Sequence, residues 1–258
     1  MIDRIEIADV KEIARRAGDE ILAVYGTEFS VDAKEDESPL TEADRRANAV
    51  IVESLSRLYP DIPVISEETK AAAYSERRGW EWFWLVDPLD GTKEFVKRNG
   101  EFTVNIALVR DRRPVLGVVY QPVGDRLYWA AEGDGAWKSS EGSEPVKLEG
   151  GEHYSKKSKV TVVASRSHLT PDVERFVSSL REEGKEVNFL SSGSSLKLCL
   201  VAEGAADVYP RLGPTMEWDT GAAHAVALEA GRRVVDHETG TDLVYNKENL
   251  LNPYFIVE

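Results

Sequence analysis

The sequence predicts a mixed chain, α+β in its first part and α/β in its second. Three patterns predict it. Two amphipathic helical stretches come first, a series of short apolar runs follows at close spacing, and from Lys159 onward strand-like and helix-like patterns alternate.

The first stretch runs from about Ile5 to Tyr25. Ile13, Ala17 and Ile21 share one stripe, with Val10, Ala14 and Leu22 beside it and charges between. A polar stretch, Asp32 to Ser38, reads as a loop before Pro39. Thr41 to Leu58 reads as a second helix, with Thr41 as its N-cap and Asp44 three residues later as a capping acid. Pro63-Val64-Ile65 is a short strand ending in Ser66-Glu67-Glu68. Trp82 to Val86 is a strand ending at Asp87. Phe102 to Val109, Val115 to Tyr120 and Leu127 to Ala131 are three more, split by Asp111-Arg112-Arg113-Pro114 and Pro122-Val123-Gly124-Asp125. Turns this short predict an antiparallel meander.

From Ser139 to Lys159 the chain is rich in Ser, Gly, Glu and Lys and reads as a boundary. It divides an N-terminal α+β lobe, 1–155, from a C-terminal α/β lobe, 156–258. In the second lobe Lys159–Ala164, Val187–Leu190, Ala206–Tyr209 and a final Arg233–Val235 read as strands. Pro171–Glu183, Ser195–Glu203 and Trp218–Ala230 read as helices.

The chain has 258 residues, 32 basic against 46 acidic, for a net charge of −14. That surplus disfavours a polymeric nucleic-acid binder, which needs a basic face. It would also repel a phosphorylated substrate unless something local reversed the sign. One cysteine, Cys199, excludes an internal disulfide and a Cys-rich zinc site, and four histidines disfavour a histidine-heavy one. The early charges Asp3, Arg4 and Glu6, and the absence of an apolar run of membrane-spanning length, lead to the expectation of a cytoplasmic enzyme without a transmembrane segment, free or peripheral at the inner face of the membrane. A monomer or a homodimer is expected.

The sharpest chemistry lies in Val86-Asp87-Pro88-Leu89-Asp90-Gly91-Thr92. An apolar strand delivers two carboxylates three residues apart, and Pro88 stiffens the turn between them. Such close like charges repel unless a cation holds them. Oxygen ligands without His or Cys suit Mg²⁺ or Mn²⁺, and the Leu89 carbonyl adds one more oxygen. Gly91 permits close backbone approach, and a helix beginning near Thr92 would offer free N–H groups to a phosphate. Glu67-Glu68 is a second acidic pair after a strand, and either glutamate could face inward. Asp219 in Glu217-Trp218-Asp219-Thr220 is a third acid, placed where helix capping alone would also favour it. The small residues after it, Gly221 to Ala223, would let that helix pack closely. A multi-metal phosphomonoesterase needs carboxylates holding ions about 4 Å apart and a hydroxyl beside a carboxylate to orient water, here Thr92 with Glu67. Bound cations would reverse the local sign in an acidic protein.

At these residues the chain resembles the inositol monophosphatase superfamily of Mg²⁺-dependent, lithium-sensitive phosphatases. The two motifs are Trp84-Leu-Val-Asp-Pro-Leu-Asp-Gly-Thr92 and Trp218-Asp-Thr-Gly-Ala222. The stretches Asp87 to Leu108, Gly193 to Gly204, Tyr209-Pro-Arg-Leu-Gly-Pro214 and Leu250-Leu-Asn-Pro253 resemble its CysQ branch, the 3'(2'),5'-bisphosphate nucleotidases, more than its inositol or fructose phosphatases. The resemblance implies a layered α-β-α-β-α sandwich of the sugar-phosphatase type. It implies two or three Mg²⁺ ions, with Mn²⁺ as a substitute, on Glu67, Asp87, the Leu89 carbonyl, Asp90, Asp219 and Asp44. It makes Thr92 and Glu67 catalytic and gives the phosphate to the amides of Gly91 and Thr92. The implied substrate is a small bisphosphate nucleotide, adenosine 3',5'-bisphosphate or its sulfated form, near Lys93, Gly193, Ser194, Ser195, Lys197 and Arg211. The alternatives are inositol 1-phosphate or fructose 1,6-bisphosphate as substrate, and a non-catalytic magnesium- and nucleotide-binding regulator. Trp80, Trp82 and Trp84 read as packing, His224 as a satisfied core histidine and Cys199 as buried and inert.

Overall fold

The structure, a computed structural model, describes residues 5–27, 39–164 and 170–258. The stretch 32–38, expected to be a loop, lies outside the described residues.

Helices α1 (Ile7–Tyr25) and α2 (Pro39–Leu58) come first. A seven-stranded sheet follows in chain order: β1 (Val64–Ser66), β2 (Trp82–Asp90), β3 (Thr103–Arg110), β4 (Arg113–Gln121), β5 (Arg126–Ala131), β6 (Gly135–Ser139) and β7 (Val146–Leu148). β1 pairs parallel with β2, and every later pair is antiparallel. Two short helices interrupt the sheet, α3 (Tyr74–Arg77) before β2 and α4 (Thr92–Val96) after it.

Strand periodicity divides the sheet into two apolar faces. Trp84, Val86, Val104, Ile106 and Leu108 pack with Val10, Ile13, Ile21, Ile51 and Leu55 of α1 and α2. The alternate residues Phe83, Leu85, Ala107 and Val109 pack against α6 (Leu196–Ala202) and α7 (Glu217–Glu229), through Leu198, Cys199, Ala222, Ala223 and Val226. Tyr209, Phe255 and Val257 close that second core from beyond the helices. They belong to the antiparallel strands β10 (Tyr209–Arg211), β12 (Phe255–Val257) and β11 (Val234–Asp236), in that spatial order. Beside these lies the parallel pair β8 (Lys159–Ala164) and β9 (Glu186–Ser191), joined to the first group by a parallel bridge from Val162 to Val208. Helix α5 (Pro171–Glu182) covers the far side, Val173, Val177 and Leu180 meeting Val160, Val162 and Ile256. The five layers are helix, sheet, helix, sheet, helix.

The small residues of α7 set its distance from the sheet. A Cβ on Gly117 of β4 would fall 2.1 Å from the carbonyl oxygen of Ala222, and one on Gly221 2.9 Å from Leu85 Cδ2.

Several elements differ from expectation. β2 does not stop at Val86 but runs on to Asp90 through Pro88, with a register shift. Proline and aspartate are poor strand formers, and a bulge is where a sheet accepts them. α2 begins at Pro39, so Thr41 lies in the first turn and is not the N-cap. Asp44 then points inward and is 8% exposed, so it does not cap the helix. The segment 139–159 carries β7 and a 3₁₀ turn at Tyr154–Lys156. β7 escapes a periodicity reading because only Leu148 of its three residues is buried. Arg233–Val235 is not the last strand: β12 follows and is central to its sheet. The strand expected at 206–209 is β10 at 209–211, which pairs antiparallel with β12, so the second part joins an antiparallel group to the parallel pair β8 and β9 that α/β alternation implies.

Candidate active site at the β2 bulge

The bulge is what brings the first two carboxylates together. Asp87 pairs with Asn105 and Asp90 with Thr103, so three steps along β2 match two along β3. In a regular strand, residues three apart face opposite sides. The extra residue cancels that alternation, and Asp87, Asp90, Asn105 and Thr103 all face α6 and α7. Leu89 points the other way, into the α1–α2 core. The Leu89 N–H donates to Asp87 Oδ1 at 3.0 Å, which closes the turn. Gly91 then takes a φ of 96°, and a Cβ there would lie 3.2 Å from Glu101 O and from Ser194 Cβ. The chain passes directly into α4, which begins at Thr92.

Glu67 follows β1 and is anchored by its backbone, N–H to Val86 O at 3.1 Å. Asp219 sits in the first turn of α7, where its Oδ2 accepts from Met216 N at 2.8 Å and caps the helix. One oxygen each of Glu67, Asp87 and Asp219 lies within 4.8 Å of the others. Asp90 stands beside this group, with Oδ2 accepting the Ser195 N–H at 2.5 Å. Asp44 approaches from α2, close enough to feel Glu67 and Glu68.

Burial and mutual repulsion act together on these acids. Burial holds Asp87 well above the usual carboxylate range, and Asp90, Glu67, Asp219 and Asp44 push it further. Burial raises Asp219 to about 7 and Asp44 to about 8, with help from neighbouring carboxylates. Burial also raises Glu67 and Asp90, but Lys197, the Ser195 N–H and Asn105 oppose the rise at Asp90. Among the described residues no lysine, arginine or histidine forms an ion pair with Glu67, Asp87 or Asp219. An all-oxygen anionic donor set with no ion-paired cation among the described residues fits a hard divalent cation.

A cleft of about 290 Å³ opens beside the carboxylates. Asp90, Gly91, Thr92 and Lys93 line one wall, Gly193, Ser194, Ser195 and Lys197 another, and Arg211 and Asp219 complete it. Lys197 is 8% exposed, and its Nζ donates to Ser194 O at 2.7 Å. Burial lowers its pKa to about 8. Arg211 donates through Nη2 to Pro214 O at 2.8 Å, while its buried Nε has no acceptor among the described residues. The cleft therefore holds three cationic side chains, Lys93, Lys197 and Arg211, next to an anionic cluster.

Two expected roles meet a different geometry. The Ser195 hydroxyl does not face the cleft: it is 2.8 Å from Asn105 Oδ1 and 2.9 Å from Thr103 Oγ1. Thr92 is exposed at the start of α4, and no hydrogen bond joins it to Glu67.

The sequence profile of the inositol monophosphatase family matches residues 2–254. The chain belongs to the inositol monophosphatase family. Among its relatives in that family, the 3'(2'),5'-bisphosphate nucleotidase CysQ of Salmonella typhimurium is 48% identical over 255 residues, covering 97% of this chain and 98% of the relative. The protein of the same name from Escherichia coli K12 is 48% identical over 252 residues, covering 96% and 97%. The crystal structure of CysQ from Bacteroides thetaiotaomicron superposes with a TM-score of 0.86 at 49% identity, covering 95% of this chain and 94% of that one.

Beside the candidate site of this inositol monophosphatase family member stand residues that motif reading passed over. Asn105 and Thr103 stand opposite the two aspartates. Glu101 Oε2 accepts from Gly193 N at 2.9 Å and pins the far wall of the cleft. The available signal was the alternation of β3, which puts Thr103 and Asn105 on one face with Ala107. His224 is a core residue, Nδ1 2.9 Å from Tyr245 Oη, and burial lowers its pKa to about 3. Cys199 is buried and Trp84 is wholly in the core. No helix among the described residues is long and apolar enough to cross a membrane.

Proposed function

We propose that this chain is a Mg²⁺-dependent phosphomonoesterase that removes the 3'-phosphate of adenosine 3',5'-bisphosphate to give AMP and phosphate, and that it accepts the sulfated nucleotide as well. One observation carries the reading. A carboxylate cluster that forms no ion pair among the described residues shares a cleft with Lys197 and Arg211, so the site suits a metal-held phosphate at one end and a second anionic group at the other. The names of the CysQ relatives support the same class.

Glu67, Asp87 and Asp219 would hold the cation, with Asp90, the Leu89 carbonyl and Asp44 completing the set. Mg²⁺, when bound, supplies Lewis-acid polarisation of the phosphoryl oxygens and lowers the pKa of water. The Gly91 and Thr92 amides donate to the reacting phosphate. Glu67 accepts the proton of the attacking water, and the Thr92 hydroxyl orients it. Lys93, Lys197 and Arg211 bind the nucleotide's other charges, and the backbone of Gly193 and Ser194 forms the wall behind it. In the proposed division into lobes 1–155 and 156–258, the metal loop belongs to the first, and Lys197, Arg211 and Asp219 to the second.

The test is phosphate release from adenosine 3',5'-bisphosphate, its sulfated form, inositol 1-phosphate and fructose 1,6-bisphosphate, with Mg²⁺ and again with added Li⁺. Preferred cleavage of the bisphosphate nucleotide, dependent on Mg²⁺, is expected. A preference for inositol phosphate would overturn the substrate, and tight nucleotide binding without turnover would overturn the enzyme.

A further inference from the structure

Asn105 is 1% exposed, stands directly opposite Asp87 on β3, and shares its face with Asp90. Its Oδ1 accepts the Ser195 hydroxyl at 2.8 Å. Its Nδ2 is buried and makes no hydrogen bond among the described residues. A buried amide donor left unpaired is costly, so its presence beside two carboxylates needs a reason.

The orientation of the amide follows from its neighbours. Turning it over would give Ser195 Oγ a donor in place of its acceptor and set a carbonyl oxygen among the carboxylates. Ser195 holds the opposite corner: its backbone N–H donates to Asp90 Oδ2 at 2.5 Å while its hydroxyl fixes Asn105. Thr103 Oγ1, 2.9 Å from the same hydroxyl, steadies it from the strand. Asp90, Ser195 and Asn105 thus form a compact group that joins the wall of the cleft to the carboxylate cluster.

We propose that Asn105 is a positioning residue, whose amide N–H₂, aimed by Ser195, turns the Asp90 carboxylate so that one oxygen stays on Ser195 and the other is presented to a cation. The inference rests on the reading of Asp90 as a cation ligand under the proposed function.

The experiment compares the wild-type chain with Asn105→Ala and Ser195→Ala, titrating Mn²⁺ by calorimetry and measuring kcat and KM for adenosine 3',5'-bisphosphate. Losing a group that orients a metal ligand weakens binding or turnover by about 10–100-fold. Asn105→Ala is expected to bind Mn²⁺ about tenfold more weakly, with a lower kcat and a KM within twofold of wild type. Ser195→Ala keeps Asn105 but frees it, so a smaller loss in the same direction is expected even if Asn105→Ala fails to fold. Wild-type Mn²⁺ affinity in both variants would overturn the proposal alone. A raised KM with unchanged Mn²⁺ affinity would overturn it by making Asn105 a substrate contact. A wild-type chain that binds no Mn²⁺ would overturn the proposed function and this inference with it.

Discussion

At the scale of single residues, Glu217 shows how a buried charge can serve placement. It has no exposure and accepts from Asn246 N at 2.6 Å, Lys247 N at 3.0 Å and Lys247 Nζ at 2.6 Å. Arg77 of α3 holds the same loop through Asn246 Oδ1 and Lys247 O, both at 2.7 Å. Asn246 takes a φ of 60°, a left-handed conformation that asparagine tolerates. The clamp fixes the first turn of α7, two residues before Asp219. Glu217→Ala leaves Lys247 and two backbone donors without their acceptor, and a loss of about 3–5 kcal/mol is expected by urea unfolding. A loss within experimental error would show that the loop re-forms without its anchor. Asp90→Asn should behave in the opposite way. The amide oxygen can still accept from Ser195, and repulsion on Asp87 falls, so the cation-free thermal midpoint should rise while turnover drops by more than about a hundredfold. Near-normal turnover would remove Asp90 from the site.

At the scale of elements, the closest fit is α7 against β4. Gly117→Ala would drive a Cβ into the Ala222 carbonyl, which is helix backbone and cannot rotate away. A cost of about 1–3 kcal/mol is expected, with weaker cation binding because Asp219 rides on the same helix. Gly221→Ala meets side chains only, the Leu85 tip at 2.9 Å and Ala107 Cβ at 3.3 Å, and should cost less. Equal unfolding midpoints for the two variants would contradict this ordering. The sequence made one half of this contact readable: Gly221 to Ala223 promised a helix packed closely on its neighbour. The other half was hidden, because a glycine inside a strand reads as a weak point until its partner is known. The same limit applies at β2. Its apolar start was plain, but Asp-Pro-Leu-Asp reads as a turn, and only pairing with β3 shows it to be strand.

At the scale of the molecule, five of the 46 acids, Asp44, Glu67, Asp87, Asp90 and Asp219, converge from four parts of the chain. Their motifs were legible because carboxylates after strands are chemically conspicuous. The support behind them was not, since Asn105, Thr103 and Glu101 matter only through contacts between distant segments. The convergence has a pH signature. Asp219 and Asp44 titrate near 7 and 8 in the fold against a usual 3.8, so the folded chain holds protons that the unfolded chain has lost. Stability from this source is full below about pH 4 and lost as the pH rises through 7 and 8. His224 has the opposite slope, but only below its usual 6.5. Lys197, lowered to about 8 by burial, gives an opposite slope from about pH 8 upward. Between pH 6.5 and 7.5 the cation-free thermal midpoint should therefore fall, and saturating Mg²⁺ should remove the slope. A flat cation-free profile would contradict the assigned burial. The β2 bulge carries a different kind of consequence, one of arithmetic. Three steps on β2 are matched to two on β3, and that mismatch sets which face Asp90 takes. Removing Pro88 alone would leave Asp87 and Asp90 two steps apart in a regular strand, still on one face, whereas removing Pro88 and Leu89 together would make them adjacent and send them to opposite faces. The metal loop should therefore keep both carboxylates on the site side after losing one residue and lose one of them after losing two, a parity rule on deletions that no single side chain enforces.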